Sequence, residues 1–203
     1  MERPGKIVCV GRNYRDHAKE MGNDVPAQPL LFLKPSTTVI AAGTAIELPA
    51  GAGRVDFEGE VGVVIGKRLR KAGEDEAVAA IRGVVAANDV SAREWQKNDG
   101  QWARAKGCDT FLPLGELSTA PFDLANLTVV SRLNGVEKQR ASTADLVFPI
   151  PMLLSYVSQY MTLESGDLLI CGTPAGVGAL SPGDVIEIEL VGHSKVSNPV
   201  VAG

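Results

Sequence analysis

The sequence predicts a mainly β protein (α+β) with a few short helices, and three observations carry that expectation. Short runs rich in Val, Ile and Leu recur along the chain, at residues 6–10, 57–65, 83–89 and 127–133. Turn chemistry punctuates them. Asn134-Gly135 marks a hairpin, and E-S-G-D-L-L-I and S-P-G-D-V-I-E-I each set a Gly-Asp turn before a strand. Helical periodicity is strong only over 145–161, where Leu153, Leu154, Val157 and Met161 fall on one face. Strands therefore dominate without regular helix alternation, which argues against a doubly wound parallel sheet.

Taken in order, the first strand (6–10) ends at Gly11. Residues 16–21 make one or two helical turns stopped by Gly22-Asn23, which brings His17 and Glu20 together at i and i+3. Residues 25–35 are proline-punctuated and extended around L-L-F-L, 39–48 are irregular β structure, and 49–53 form a turn. The chain then enters its central stretch, F-E-G-E-V-G-V-V-I at 57–65. Side chains alternate along a strand, so Glu58 and Glu60 share one face, while Phe57, Val61, Val63 and Ile65 suit a packed interior on the other. A short amphipathic helix over 74–81 leads into the buried strand 83–89, which ends in an acid, Asp89.

With 203 residues and 45% hydrophobic content, the chain is expected to form one domain spanning 1–203 with a sizeable core. The net charge of −4 gives no reason to expect nucleic-acid or anionic-membrane partners. Three widely spaced cysteines (Cys9, Cys108 and Cys171) argue against a disulfide framework or a zinc site. No signal peptide or membrane-spanning segment is evident, and the expected compartment is the cytoplasm.

Glu58, Glu60 and Asp89 put three carboxylates where apolar residues would be expected. Two adjacent carboxylates on an apolar strand repel each other and lose hydration, so a positive partner or a retained proton must compensate. Oxygen-only donors suit a hard cation such as Mg²⁺, Mn²⁺ or Ca²⁺. The spacing alone equally fits two glutamates on a solvated sheet face with Asp89 capping a turn.

A resemblance shifts that balance. D-F-E-G-E-V-G-V-V-I-G, A-N-D-V-S-A-R-E-W-Q and A-K-G-C-D-T-F-L-P-L-G are similar to consecutive blocks of the fumarylacetoacetate hydrolase family. The upstream G-R-N-Y-R-D-H-A-K-E-M and the downstream C-G-T-P-A-G-V-G match it too, over roughly residues 6–190. The chain looks most like the short acylpyruvase and oxaloacetate decarboxylase branch. It departs from common family usage at Cys108, and its segment from Gln96 to Trp102 is short.

The resemblance implies a mixed β-sandwich roll of the family's C-terminal domain type, and a homodimer. It implies one Mg²⁺ or Mn²⁺ per subunit on Glu58, Glu60 and Asp89. Lys106 would approach a bound 2-oxo acid, with Gln96 and Thr173 contacting it and Arg12 and Tyr14 bordering it. His17 and Glu20 would act as a dyad over the metal, on a lid formed by residues 12–23 with Gly11 and Gly22 as hinges. The implied activity is hydrolysis of the C–C bond of acylpyruvates such as fumarylpyruvate or acetylpyruvate, through a metal-bound enolate. Oxaloacetate decarboxylation and isomerisation of a 2-hydroxyhepta-2,4-diene-1,7-dioate-type diacid use the same constellation. A non-catalytic dicarboxylate-binding module is an alternative of a different class, and it has no need of the His17–Glu20 pair.

Several candidates also have plain structural readings. An isolated histidine is more often a surface or capping residue than a catalyst, and His193, in V-G-H-S-K with no partner, is read as a surface residue. Lys106 could be a solvated strand-end charge. Trp95 and Trp102 are read as packing residues, Asp56 as solvated or paired with a nearby arginine, and Cys108 as a modifiable thiol with no base.

Overall fold

The computed structural model describes residues 3–203. The first half holds β1 (Ile7–Gly11), α1 (Arg15–Glu20), β2 (Leu30–Lys34), β3 (Val39–Ile40), β4 (Ile46–Leu48), β5 (Val55–Phe57) and β6 (Gly59–Ile65). Then come α2 (Glu74–Ala79), β7 (Ile81–Asn88), β8 (Ser91–Ala92), α3 (Arg93–Asn98), α4 (Ala103–Gly107) and β9 (Leu112–Pro113). The last part holds β10 (Thr128–Leu133), β11 (Val136–Ser142), α5 (Ile150–Tyr160), β12 (Leu168–Ile170), β13 (Gly178–Ala179), β14 (Val185–Leu190) and β15 (Ser194–Ala202).

Strand exceeds helix, 38% to 20%, so the chain is mainly β with short helices, as its turn chemistry predicts. Two five-stranded sheets form a sandwich roll. One has the order β2-β1-β12-β6-β7, the other β11-β10-β14-β15-β4. Both are mixed: β1 runs parallel to β12 and β15 parallel to β4, while the remaining pairs are antiparallel. Strands β6 and β7 lie against β10, β14 and β15 across the main core. Phe57, Val61, Val63 and Ile65 enter that core, as their alternation predicts. On the opposite face Val64 joins a second cluster with Ile7, Cys9, Val85 and Leu112. Strand β6 is buried on both faces, which is why its sequence is nearly all apolar.

The stretch expected as one strand over 57–65 is interrupted at Glu58. Its first part, β5, pairs with β13 and β8 in a separate small sheet, and its second part, β6, enters the large one. Gly59 follows the break because the second sheet presses on it: a Cβ there would fall 2.0 Å from Ser131 Oγ. Boundaries elsewhere shift by a few residues. The helix expected over 145–161 begins at Ile150, since Pro149 and Pro151 start it and Ser142 caps a 3₁₀ turn before it. Leu153, Leu154 and Val157 are buried; Met161 is only half-buried and ends the helix. The Asn134-Gly135 hairpin forms between β10 and β11, both turn residues having positive φ (51° and 79°), as a type I′ turn demands.

Among the described residues, no helix is long and apolar enough to cross a membrane. All three cysteines are free.

Candidate active site

The β6–β7 hairpin builds the acidic centre. Gly59 pairs with Asn88, so Asp89 lies one step on, where its N–H donates to Glu58 O at 2.8 Å. One ligand atom from each of Glu58, Glu60 and Asp89 falls within 4.8 Å of the others, and all three residues are buried. Burial on both sides of β6 excludes the solvated-face reading of the glutamate pair.

Two buried lysines and a half-buried arginine surround these acids. Lys106, on α4, donates to Glu58 Oε2 at 2.6 Å and to Asp89 Oδ2 at 2.7 Å. Lys34, at the end of β2, donates to Asp89 Oδ1 at 2.6 Å. Arg93 Nη2 lies 2.7 Å from Glu58 Oε1, outside hydrogen-bond angles. Burial opposes the charge on Glu58, but Lys106 and Arg93 outweigh it and hold that carboxyl well below the usual range. Burial likewise opposes the Lys106 charge, yet Asp89 and Glu58 raise its pKa, so it is a fixed cation and not a base.

Glu60 is the exception. No cation lies within ion-pair distance of it among the described residues, and its only polar partner is the Gly172 N–H. Burial first, then Asp89 and Glu58, push its pKa well above the carboxylate range. One carboxylate of three thus lacks a counter-charge, in a cluster offering oxygen donors only. That donor set fits a hard divalent cation. Gly172 reaches Glu60 in a left-handed conformation (φ 103°), and a Cβ there would approach Asn13 Cβ at 2.8 Å.

A cavity of about 550 Å³ opens over the triad. Eight of the ten residues to which the resemblance gives site roles line it: Arg12, His17, Glu58, Glu60, Asp89, Gln96, Lys106 and Thr173. His17 Nδ1 lies 3.1 Å from Glu20 Oε2, and Glu20 Oε1 accepts the Gly176 N–H at 3.0 Å. Arg12 has a positive φ of 57°. Tyr14 is placed elsewhere: it packs into the main core, and burial, with Cys171 and Glu60 nearby, raises its phenol pKa. Lys106 is not at a strand end but on a short helix, buried over the Phe32 ring at 5.1 Å.

Thr173 belongs to a closed hydrogen-bond network. Gly59 N–H can only donate, so Gln139 accepts it through Oε1 at 3.0 Å. Gln139 Nε2 then donates to Thr173 Oγ1 at 2.8 Å and to Pro174 O at 2.7 Å. Thr173 Oγ1 in turn donates to Gly59 O at 2.9 Å. Its hydroxyl proton is therefore committed within the protein.

Lys34, Arg93 and Gln139 escaped sequence reasoning. Asp56 is buried, not solvated, between Arg54 (2.6 Å) and Arg93 (2.7 Å). Trp102 packs edge-on to Phe32 and also lines the cavity. Cys108 directs its thiol at Arg104 O, and burial raises its pKa. His193 is half-buried, with Ser118 Oγ 3.4 Å from its Nδ1 and Phe122 edge-on, so it is not the unpartnered surface residue expected.

The β-sandwich roll thus sets a buried, oxygen-only triad that could hold a divalent cation beneath a cavity lined by charged residues. The chain belongs to the fumarylacetoacetate hydrolase family: the family model for the fumarylacetoacetate (FAA) hydrolase C-terminal domain matches residues 6–201. It is 47% identical to Protein Rv2993c of Mycobacterium tuberculosis, over 97% of this chain and 75% of that protein. It is 40% identical to the mitochondrial oxaloacetate decarboxylase of Dictyostelium discoideum, over 92% of this chain and 89% of that one. Its fold is similar to the crystal structure of a 5-carboxymethyl-2-hydroxymuconate delta-isomerase from Mycobacterium smegmatis, with a TM-score of 0.92 at 41% identity. That match covers 99% of this chain and 80% of the other.

Proposed function

We propose that the chain hydrolyses the C–C bond of acylpyruvate-type 2,4-dioxo acids, such as acetylpyruvate or fumarylpyruvate, using one Mg²⁺ or Mn²⁺ per subunit. The observation that carries this reading is the His17–Glu20 pair beside the triad: His17 lies in the wall of the cavity that holds the three carboxylates. A divalent ion held by Glu58, Glu60 and Asp89 would draw electron density from a chelating 2-oxo acid and stabilise the enolate charge that cleavage creates.

The chain's own residues supply the rest. Glu20, fixed by Gly176, orients the imidazole through Nδ1 and leaves Nε2 to take a proton from water. The hydroxide so formed adds to the distal carbonyl. The C–C bond then breaks, its electrons pass to the pyruvate enolate, and His17 returns its proton there. Lys106 adds a fixed positive charge beside the anionic substrate, while Gln96 and Arg12 supply donors at the cavity wall. Residues 12–23 act as a lid. Asn13 pins its start to Phe148 and Cys171, and the Glu20–Gly176 contact would hold it closed.

A second reading is favoured by the activities for which the relatives are named. On oxaloacetate, the same enolate would form by loss of CO₂ with no attacking water, and on a longer unsaturated diacid the site would move a proton. The homodimer and the cytoplasm complete the proposal. The unpaired edge of β2, where Leu33 is exposed, supports the first, and the three free thiols support the second.

The test is pyruvate release from acetylpyruvate and from oxaloacetate, with Mg²⁺, with Mn²⁺ and with excess chelator. Metal-dependent release from acetylpyruvate supports hydrolysis, and release from oxaloacetate alone supports decarboxylation. No release from either, with metal bound, rejects both and leaves isomerisation or a binding module. Absence of metal binding rejects the site.

A further inference from the structure

Arg93 opens α3, and its guanidinium reaches three neighbours at once. Nε donates to Asp56 Oδ2 at 2.7 Å, Nη1 donates to Gln96 Oε1 at 2.9 Å, and Nη2 lies 2.7 Å from Glu58 Oε1. The side chain is 11% exposed, whereas Arg54, the other partner of Asp56, is 57% exposed and solvated. A guanidinium donates and never accepts. Gln96 must therefore meet it through the carbonyl oxygen, and its amide N–H groups are the end left over. Gln96 lines the cavity, and Nε2 makes no hydrogen bond among the described residues. A planar fork held at two other points fixes the angle at which Gln96 is gripped, which a lysine could not do.

We infer that Arg93 is a positioning residue that locks Gln96 with its amide N–H groups toward the ligand and couples that orientation to Glu58. This wall of the cavity is thereby matched to an oxygen acceptor, a carboxylate or carbonyl, and set against a hydroxyl or amine. The identity of the ligand rests on the proposed 2-oxo acid chemistry; the Arg93–Gln96 coupling rests on the geometry alone.

Four variants of the Mn²⁺-loaded protein test it: Gln96→Glu, Gln96→Ala, Arg93→Lys, and Arg93→Lys with Gln96→Ala. The readouts are pyruvate binding by calorimetry and kcat and KM on whichever acid is turned over. Gln96→Glu keeps an oxygen for Arg93 but presents a second oxygen to an anion. It should weaken pyruvate binding and raise KM by about tenfold or more, with kcat within about threefold and an undiminished melting temperature. Undiminished pyruvate affinity would overturn the orientation, because the ligand would then be meeting the carbonyl end.

Arg93→Lys and Gln96→Ala should each weaken binding by about tenfold, and the double variant by clearly less than the product of the two factors, since both remove the Arg93–Gln96 bond. Multiplication to about a hundredfold would overturn the coupling. Should Arg93→Lys fail to fold, Gln96→Glu decides. If the wild-type protein neither binds pyruvate nor turns over either acid, the functional reading has failed. Melting temperatures of the same variants then decide for Arg93: non-additive shifts sustain the coupling and additive shifts overturn it.

Discussion

Lys34 Nζ sits 2.6 Å from Asp89 Oδ1 with both side chains out of solvent, so one wall of the acidic centre is a buried ion pair. Lys34→Met would leave Asp89 with Lys106 alone and its Oδ1 without a donor, and should destabilise the chelator-treated protein by about 1–3 kcal/mol. Saturating Mg²⁺ should recover part of that loss, because the ion supplies Asp89 with a new counter-charge. Urea unfolding with and without metal checks both statements, and an equal loss in the two conditions would contradict the second.

Glu60 gives a pH dependence of definite sign. Its folded-state pKa is raised, so the native state holds a proton that the unfolded chain has released. The metal-free protein should lose stability as pH rises from the ordinary glutamate value of about 4.3 through the raised native value. Glu58 works oppositely, its depressed pKa contributing stability that is lost only as pH falls below that ordinary value. Melting curves in chelator between pH 5 and 8 should thus fall with pH, and saturating Mg²⁺ should flatten them. A chelated protein whose stability rises over that window would refute the assignment.

Replacing His17 separates the two proposed reactions. His17→Ala should reduce acylpyruvate hydrolysis by about 10²–10⁴-fold, the usual contribution of a general base. Oxaloacetate decarboxylation, which needs no activated water, should change by less than about tenfold. Parallel assays of the two substrates decide the matter, and unimpaired hydrolysis removes the dyad from the mechanism.

The Gln139 network makes a prediction about stability. Thr173→Val deprives Gly59 O and Gln139 Nε2 of one partner each in a buried setting. A cost of about 1–3 kcal/mol follows, read from the shift in the denaturant midpoint. Thr173→Ser should restore it, and a neutral Thr173→Val would show that the network is not closed in solution.

The acids of this site are legible in the chain and their counter-ions are not. Glu58, Glu60 and Asp89 stand out because a charge within an apolar β run violates the expected pattern, and the hairpin that unites them is local. Lys34 reads in L-L-F-L-K as an ordinary lysine closing a strand, and Arg93 as an ordinary residue beginning a helix. Their burial depends on which segments fold over them, which no spacing records. Gln139 lies in the charged strand V-E-K-Q-R, whose pattern indicates solvent, yet it is 1% exposed beneath the Gly172-Thr173 loop. The break at Glu58 was equally hidden, since uniform β propensity does not tell a chain where to change sheets.

That change of sheet places Glu58 at a seam. Strand β5 belongs to the small sheet with β8 and β13, and β6 to the large one, so an ion bridging Glu58 to Glu60 and Asp89 would rivet two sheets together. The three acids are contributed by one compact hairpin, while their counter-charges arrive from β2, α3 and α4, before and after it in the chain. The hairpin can shed its water only once α3 and α4, which follow it, and β2, whose Lys34 lies 55 residues before Asp89, have docked. Assembly of this centre is consequently a late, long-range event in folding, and the isolated hairpin is a peptide that should remain hydrated and open.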